Sequence, residues 1–403
     1  MKSIIIVAHA LEIGGAERAL LGLLESFDYS QYEVDLFLMR HTGELFNLIP
    51  KEVHLLPEIK QYTGLAVPIT SILKKGMWKV ASRRLYAKIK AKQYIRKHHI
   101  QSENTVELDY SHKYSLKVMP MISNKRYNLA ISFLTPHYYA IHKVQADKKI
   151  AWIHTDYSSM DMDIESEKKM WGAYDNIISI SEACTKGFLL KFPEFKEKII
   201  EIENIIAPNF IRKQSNMAEV NDEMASEDGV LKILSIGRFS VPKNFENIPD
   251  ICRRICQNGI KVKWFIIGFG KEEEHIRQKI LEYGMENNVV ILGKKSNPYP
   301  YIRECDVYIQ PSLYEGKCVA VREAQILGKP VIITSYPTAS SQLSEGVDGL
   351  IVPLDNEQCA NALTDILRDN DKLERLRENV RTIDYSNTSE IYKLYSLLTV
   401  KNI

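Results

Sequence analysis

The chain has 403 residues, which is enough for two to three domains with a core in each. Apolar residues make up 45% of the chain and charged residues 26%, a composition typical of a folded globular protein and not of a disordered one. The 53 basic and 51 acidic residues nearly cancel, which argues against a protein whose whole surface binds nucleic acid.

The N-terminal residues lack a secretory signal pattern, because the first apolar run soon reaches Glu12 and two glycines. No run of 18 or more apolar residues occurs, so we predict no membrane-spanning helix. The six cysteines are scattered and complete no zinc-binding set. We therefore expect a cytoplasmic protein with reduced thiols.

Short β-branched runs alternate with amphipathic segments along the whole chain. The first half contains SIIIVAH, YEVDLFLM, EVHLL, YNLAISFL, KKIAWIH, DNIISIS and KIIEIEN. The second half contains LKILSIG, VKWFIIG, NVVILG, DVYIQPS, KPVIITS and DGLIVP. Apolar strands separated by helices indicate buried parallel sheets, so each half is predicted to be an α/β domain.

These patterns suggest two domains at 1–212 and 230–385. The segment between them, 213–229, is polar and acidic without a strand pattern, and we interpret it as a linker or loop. Residues 386–403 follow the last predicted strand and contain a C-terminal helix, which we expect to return to the N-terminal domain. Since ligands of parallel sheets bind beyond the carboxyl ends of the strands, we predict a site in a central cleft that both domains face.

Two features of the first half follow predicted strands. Gly14 and Gly15 precede an amphipathic helix, and paired glycines there form an amide-lined anion site, although a plain strand–helix turn is the alternative. The order G-G-A-E lacks the dinucleotide fingerprint. His154 ends a later strand, where it can bind a sugar hydroxyl or carry a proton; a packed histidine beside Trp152 is the alternative.

Residues 74–99 form a strongly basic segment with ten Lys or Arg and no Asp or Glu. Apolar and aromatic side chains are interleaved with these charges, which predicts a basic amphipathic helix. Such a helix suits the anionic inner face of the plasma membrane, where we expect the protein to bind peripherally. A solvated helix face is the alternative, and nucleic acid is disfavoured by the rest of the chain.

Cations and glycines follow three predicted strands of the second half. Arg238 and Lys243 lie on one loop, where a guanidinium fork and a compact ammonium suit a diphosphate; two solvated cations are the alternative. Gly268 allows backbone to approach a ligand, or simply makes a turn. Lys294 and Lys295 end a third strand, where backbone amides can contact a base.

The stretch PSLYEGKCVAVREAQILGKPVIITS places Glu315 after a buried strand and Glu323 two helix turns further on. An ionised carboxylate accepts two hydroxyl hydrogen bonds, which fits a vicinal diol such as ribose. We therefore assign Glu323 to a ribose and Glu315 to a second sugar. Two surface carboxylates are the alternative, but an unpaired carboxylate would be costly in this apolar neighbourhood. Amides at the helix start suit sugar oxygens, and they belong to Gly316, Lys317, Cys318 and Val319.

The segments SIGRFSVPKNFENI, PSLYEGKCVAVREAQILGKPVIITS and EGVDGLIVP, in this order, resemble the retaining glycosyltransferases of family 4. The resemblance covers essentially the whole chain and implies the GT-B fold, with two Rossmann-like parallel-sheet domains facing a central cleft. It also implies transfer of a sugar, with retention, from a nucleotide diphosphate sugar, such as a UDP-sugar, to a glycan or lipid-linked acceptor in bacterial polysaccharide biosynthesis. No metal or other cofactor is expected.

The resemblance implies roles for individual residues. Glu315 matches the family glutamate that faces the donor sugar, and His154 matches the histidine of the cleft, so both are candidate catalytic residues. The nucleotide ribose would contact Glu323, and the donor diphosphate would contact Arg238, Lys243, Gly14 and Gly15. From their positions at strand ends, and not from the resemblance, Gly268, Lys294 and Lys295 are further candidates for contact with the nucleotide. The family often has Phe-Gly or Phe-Pro after the Glu-Gly pair, where this chain has Lys317 and Cys318, so its donor-sugar pocket differs.

Two rival functions stay open from the sequence. The chain can be a non-catalytic GT-B subunit that binds a nucleotide sugar or a partner enzyme, or it can be a nucleotide-sugar epimerase. The two acids of the sequence DMD, Asp161 and Asp163, fall in a polar loop, so we do not interpret them as a metal site.

Overall fold

A computed structural model of the chain describes residues 1–100, 104–135, 137–155, 157–158 and 160–399. Contacts divide the chain into two compact units. The first contains Met1–Ile206 and the residues from Asn387 onward, and the second contains Ala207–Ser386. Each unit has its own parallel sheet and its own hydrophobic core.

The first unit is built on a seven-stranded sheet in the order β3-β2-β1-β4-β5-β6-β7, with every pair parallel. Its strands are β1 Lys2–Ala8, β2 Tyr32–Leu38, β3 His54–Leu55, β4 Arg126–Ser132, β5 Gln145–Ile153, β6 Asn176–Ser179 and β7 Ile199–Glu201. The central strands are buried on both faces, which explains why their sequences are continuously apolar.

Eight helices of the first unit connect and flank these strands. They are α1 Gly15–Glu25, α2 Lys60–Thr63, α3 Ile69–Lys74, α4 Trp78–Lys97, α5 Val106–Ser115, α6 His137–Lys143, α7 Ile164–Gly172 and α8 Glu182–Lys191. The predicted basic segment therefore contains the 20-residue helix α4, which packs against α5 through Ala87 and Ala91. Asp163 caps α7 by accepting a hydrogen bond from Ser166 N at 3.1 Å.

The second unit is built on a six-stranded parallel sheet in the order β10-β9-β8-β11-β12-β13. Its strands are β8 Leu231–Ile236, β9 Val262–Ile267, β10 Val289–Gly293, β11 Val307–Gln310, β12 Val331–Thr334 and β13 Leu350–Val352. The chain passes from β8 to β9 and β10 and then crosses back to β11. The strand order therefore reverses between β8 and β11, the place where doubly wound sheets bind ligands.

The helices of the second unit are α9 Pro208–Ser215, α10 Ile248–Gln257, α11 Glu273–Glu282, α12 Tyr299–Glu304, α13 Val319–Ile326, α14 Ala339–Gln342, α15 Asn356–Arg368 and α16 Asn370–Thr382. Residues 216–230 form no helix or strand. Val220 and Met224 of this segment are nevertheless buried, so it packs on the second unit. The predicted fold class, with two Rossmann-like domains built on parallel sheets, is confirmed.

Helix α17, Ile391–Thr399, belongs to the first unit. The ring of Tyr395 stacks on Tyr32 at a centroid distance of 4.2 Å, and its hydroxyl accepts a hydrogen bond from Asp28 N at 2.9 Å. Before the helix, the Asn387 side chain donates to Asn204 O at 2.9 Å and accepts from Ile206 N at 2.9 Å. These contacts fasten α17 and the residues before it to the first unit.

None of the helices in the described ranges combines the length and the hydropathy of a membrane span.

Two acidic side chains of the first unit have little contact with water: Glu167 of α7 is buried, and Asp109 of α5 is half-buried. The Tyr138 hydroxyl donates to Glu167 Oε1 at 2.8 Å, and the Thr105 hydroxyl donates to Asp109 Oδ2 at 2.5 Å. Burial raises the pKa of Glu167 to about 8, and the nearby charge of Asp109 adds to that shift. Burial also raises the pKa of Asp109 to about 7. Near neutral pH, Asp109 and Glu167 are therefore partly protonated in the folded unit, whereas both carboxyl groups are ionised in the unfolded chain.

The attachment of α17 predicts a difference between two tyrosines of that helix. Tyr395→Ala should lower the free energy of unfolding of the first unit by about 2 kcal/mol, because it removes a stacked ring and a hydrogen-bond acceptor. Tyr392→Ala should change it by less than about 0.5 kcal/mol, because that ring is 69% exposed. Urea unfolding measures both, and equal losses would contradict the packing of α17.

The acidic pair predicts how stability depends on pH. Since the pKa of Glu167 is higher in the folded unit than the ordinary value of 4.5, its stabilising protonated form is fully present below pH 4.5. That contribution is lost as pH rises toward about 8, at up to about 1.4 kcal/mol per pH unit. Glu167→Gln keeps an oxygen that accepts from Tyr138, so the variant should lose less stability over this window in urea unfolding. Glu165→Gln, on the exposed face of α7, is the control and should follow the wild type.

Candidate active site

The loops after β8 and β11, residues 237–244 and 311–318, lie side by side where the second strand order reverses. Leu313 N donates to Pro242 O at 2.9 Å, and the Asn244 side chain donates to Pro311 O at 3.0 Å. Asn244 adopts a left-handed conformation with φ of 60°, which asparagine tolerates better than most residues. The two loops are therefore fixed to each other before any ligand binds.

An ion pair joins the two loops. Lys243 Nζ lies 2.5 Å from Glu315 Oε1, and the side chains are only 21% and 9% exposed. Burial lowers the pKa of Lys243, but nearby Cys318 and Glu315 hold that pKa above its usual value. Because burial raises the pKa of Cys318 to about 12, its thiol is neutral near pH 7. The Glu315 carboxylate therefore supplies the charge that keeps the buried ammonium protonated.

A chain of hydrogen bonds that starts in β11 and continues into the loop after it positions Glu315. The Tyr308 hydroxyl donates to Gln310 Oε1 at 2.7 Å, and Gln310 Nε2 donates to Ser312 Oγ at 2.9 Å. Ser312 Oγ then donates to Glu315 Oε1 at 2.7 Å. Lys243 and Ser312 thus meet at one carboxylate oxygen. Sequence reasoning missed these three polar partners, although a glutamine and a serine at the end of an otherwise apolar strand were a usable signal.

Arg238 follows β8 directly and is exposed. Its positive charge lowers the pKa of Lys243, so the two cations lie within electrostatic reach of each other. The predicted diphosphate pair of the second unit is therefore brought together at the strand ends. One member is exposed, and the other is anchored to a carboxylate.

The loop after Glu315 is bonded to the residues that follow β12. The Thr338 hydroxyl donates to Glu315 O at 2.6 Å, and Cys318 N donates to the Gln342 side chain at 2.7 Å. The Cys318 amide, which we expected to face a sugar, is thus engaged within the unit. Gly316 and Lys317 are half-buried on the loop, and Val319 begins α13.

Glu323 lies on α13 and is only 1% exposed. The Tyr299 hydroxyl of α12 donates to its Oε1 at 2.9 Å. A phenol hydroxyl donates a hydrogen bond to a carboxylate without adding a charge, and a hydroxyl group of a ligand can donate in the same way. Glu323 is therefore not a solvated surface carboxylate.

The ends of β8, β9 and β10 continue one hydrogen-bond ladder through three glycines. Gly237 N donates to Ile267 O, and Gly268 N donates to Gly293 O, both at 3.0 Å. A Cβ on Gly268 would lie 1.9 Å from Gly237 O, so only glycine fits this close approach. Gly268 thus keeps the predicted strand ends together.

The two lysines after β10 differ in their surroundings. Lys294 Nζ lies 4.8 Å above the ring of Phe269, at the carboxyl edge of the sheet. Lys295 forms an ion pair with Glu223 and lies over the ring of Tyr301. The hydrogen bond from Lys295 lowers the pKa of Glu223, so the pair is ionised near pH 7. Lys295 therefore fastens the segment 216–230 to the sheet.

In the first unit, Gly14 and Gly15 lie at the start of α1, beyond the carboxyl end of β1. A Cβ on Gly14 would lie 2.1 Å from Glu17 Oε2, so the glycine leaves room for that carboxylate to fold over the turn. Gly15 is exposed, and a Cβ on it would meet no heavy atom within 4 Å.

His154 follows β5 and contacts two aromatic rings. Its ring centroid lies 4.4 Å from that of Phe133 and 6.2 Å from that of Trp152. Burial lowers the pKa of His154 to about 3, so the imidazole is neutral near pH 7. Both ring nitrogens are buried, and by hydrogen-bond geometry neither has a partner in the described part of the chain, although the Phe133 backbone is close enough to influence the pKa.

Residues 217–383 match the protein family described as glycosyl transferases group 1. This range contains Arg238, Lys243, Glu315 and Glu323.

Among curated proteins, the chain is 28% identical over 161 residues to N-acetylgalactosamine-N,N'-diacetylbacillosaminyl-diphospho-undecaprenol 4-alpha-N-acetylgalactosaminyltransferase of Campylobacter jejuni, covering 39% of this chain and 43% of that protein. It is 29% identical over 182 residues to the putative colanic acid biosynthesis glycosyltransferase WcaL of Salmonella typhimurium, covering 42% and 45%. The chain thus spans about half the length of these relatives or less.

Solved structures resemble the chain over nearly its whole length. Anabaena HepE in complex with UDP superposes with a TM-score of 0.63 at 16% identity, covering 99% of this chain and 100% of that one. A variant of TarM from S. aureus, bound to UDP, fondaparinux and alpha-GlcNAc-glycerol, gives a TM-score of 0.66 at 14% identity, covering 99% and 100%. The match to the group 1 glycosyl transferases covers residues 217–383, and the chain, with its two Rossmann-like parallel sheets, has the GT-B fold.

Proposed function

We propose that this protein is a retaining glycosyltransferase of family 4 that transfers a hexose-type sugar from a nucleotide diphosphate sugar to a glycan or lipid-linked acceptor. The observation that carries the proposal is the ion pair between Lys243 and Glu315, next to Arg238, where the strand order of the group 1 domain reverses. A cation pair beside an oriented carboxylate suits a diphosphate joined to a sugar.

In this mechanism Arg238 and Lys243 bind the donor diphosphate and stabilise the charge that develops on it as the sugar leaves. An ammonium has three hydrogens, so Lys243 can keep Glu315 and still donate to a phosphate oxygen. Glu315 orients the donor sugar, supported by Ser312 and Gln310. Cations take the role that a divalent metal plays in other transferases, so no metal is required.

The remaining predicted residues receive roles in the same scheme. The Glu323 carboxylate, which accepts a hydrogen bond from the Tyr299 hydroxyl, binds the nucleotide ribose. Lys294 and Gly268 lie at the strand ends where the base would bind. In the first unit, the amides at Gly14 and Gly15 suit a phosphate, and the neutral imidazole of His154 suits a sugar hydroxyl. Attack from the side of the leaving group retains the anomeric configuration.

The comparisons support a particular donor and acceptor class. HepE and TarM are described in complex with UDP, so we propose a UDP-sugar donor. The name of the Campylobacter relative includes a diphospho-undecaprenol acceptor, and that of the Salmonella relative includes colanic acid. We therefore place the reaction in the assembly of a cell-surface polysaccharide, on the cytoplasmic side of the membrane.

Helix α4 supports binding to a membrane that would carry such an acceptor. Trp78, Leu85 and Ile89 share one face of the helix, as their spacing of seven and four residues requires, and they are 68%, 53% and 49% exposed. Lysines flank this face, and α4 contains no acidic residue. Exposed apolar side chains between cations suit an anionic bilayer.

Turnover of radiolabelled UDP-sugars, with and without a polyprenyl-linked glycan, tests the activity. We expect product only with an acceptor, and equal turnover with and without a chelator. An epimerised donor would favour the epimerase, and an unchanged donor would favour the non-catalytic subunit.

In the same assay, Lys243→Ala should lower transfer by about tenfold or more, because it removes a charge-assisted hydrogen bond of about 1.5–3 kcal/mol. Lys261→Ala removes an exposed lysine at the opposite end of β9 and should leave transfer unchanged. Thermal unfolding of both variants verifies that they fold. Wild-type kinetics in folded Lys243→Ala would remove this lysine from the site.

Membrane binding is tested by sedimentation with vesicles of phosphatidylglycerol and phosphatidylcholine at low salt. We expect the protein to pellet with the anionic vesicles and to be released by salt. Replacing Leu85 and Ile89 by serine should weaken binding, whereas Leu281→Ser, at an exposed leucine of the second unit, should not. Failure of the wild type to pellet at low salt would contradict the membrane proposal.

A further inference from the structure

A pocket of about 360 Å³ lies among α3, α4 and α5 of the first unit. Its polar lining consists of Thr70 from α3, Arg84 and Lys88 from α4, and Glu107 and Ser111 from α5. Arg84 and Lys88 are one helix turn apart, so both cations face the same space. The pocket therefore has two positive side chains, two hydroxyls and one carboxylate.

Arg84 is a fixed part of the pocket wall. Its Nη1 donates to Gly64 O at 2.8 Å and also to Val67 O. These bonds hold the guanidinium plane in place, so little side-chain entropy is lost when an anion binds to it. Lys88 is exposed and lines the same pocket. A fixed fork with a nearby ammonium suits the oxygens of a phosphate.

The surface beside the pocket distinguishes between a dissolved phosphate and a lipid. Leu85 and Ile89 directly follow Arg84 and Lys88 in sequence, and they form the exposed apolar face described above. A phosphate held by the pocket can therefore carry acyl chains that lie along this face. Free phosphate would gain nothing from these apolar side chains.

We propose that this pocket binds the phosphate of an anionic phospholipid headgroup, with Arg84 and Lys88 as its charged partners and Thr70 and Ser111 as hydroxyl donors. The proposal rests on the membrane part of the proposed function and adds a defined site to it. Glu107 faces the same space and weakens the attraction, so a bound lipid can be released again.

Binding of monomeric dihexanoyl-phosphatidylglycerol, measured by calorimetry, tests the pocket without a bilayer. Lys88→Gln should weaken binding by about tenfold, because it removes one charge-assisted hydrogen bond. Lys92→Gln removes the same charge from the exposed surface of the same helix, one turn away, and should weaken binding by less than about twofold. Glu107→Gln should strengthen binding, because it removes a like charge. Neither lysine substitution touches the core.

The outcomes separate the pocket from the membrane proposal. If Lys88→Gln and Lys92→Gln weakened binding of the short-chain lipid equally, the proposed phosphate site would be wrong. Sedimentation of the wild type with anionic vesicles would then reflect nonspecific electrostatic attraction to the bilayer. Binding of inorganic phosphate as tightly as the short-chain lipid would overturn the lipid assignment. Failure of vesicle sedimentation together with Lys88-dependent binding of the short-chain lipid would support the pocket while contradicting stable membrane attachment.

Discussion

The buried ion pair between Lys243 and Glu315 is the interaction on which the candidate site depends. Removing two charges from water is costly unless each is paired and hydrogen-bonded. Here the pair is supported by Ser312 and by the loop contacts of Asn244 and Leu313. These hydrogen bonds offset the free energy of desolvating the two charges. The Glu315 carboxylate and the Lys243 ammonium are therefore already oriented in the protein without a ligand.

The parallel sheet explains why these two residues, 72 positions apart, meet. β8 and β11 are neighbours only because the chain reverses its direction of growth across the sheet at that point. Loops that leave adjacent strands on opposite sides of a sheet open a gap at their carboxyl ends. Lys243 and Glu315, one from each loop, therefore share one small region, and a domain of this kind can assemble a candidate site from two short segments.

The sequence was a good guide to the strands and a poorer guide to side-chain partners. Parallel strands that are buried on both faces have continuous runs of apolar residues, which are easy to recognise in a sequence. Each of the predicted runs contains an observed strand. The partners of Glu323 and Lys295, which are Tyr299 and Glu223, depend on helix packing that no local pattern encodes.

The acidic pair Asp109 and Glu167 escaped notice for the same reason. Each acid occurs on a helix, where a solvated charge is the usual interpretation. The Gln310–Ser312 relay was visible only as polar residues at the end of an apolar strand.

The most direct test of the central claim is a crystal structure of the protein soaked with UDP. We predict that diphosphate oxygens lie within hydrogen-bonding distance of Lys243 Nζ and Arg238, and that the ribose hydroxyls contact Glu323. A nucleotide bound at the amino ends of the strands, or bound without contact to Lys243, would contradict the account.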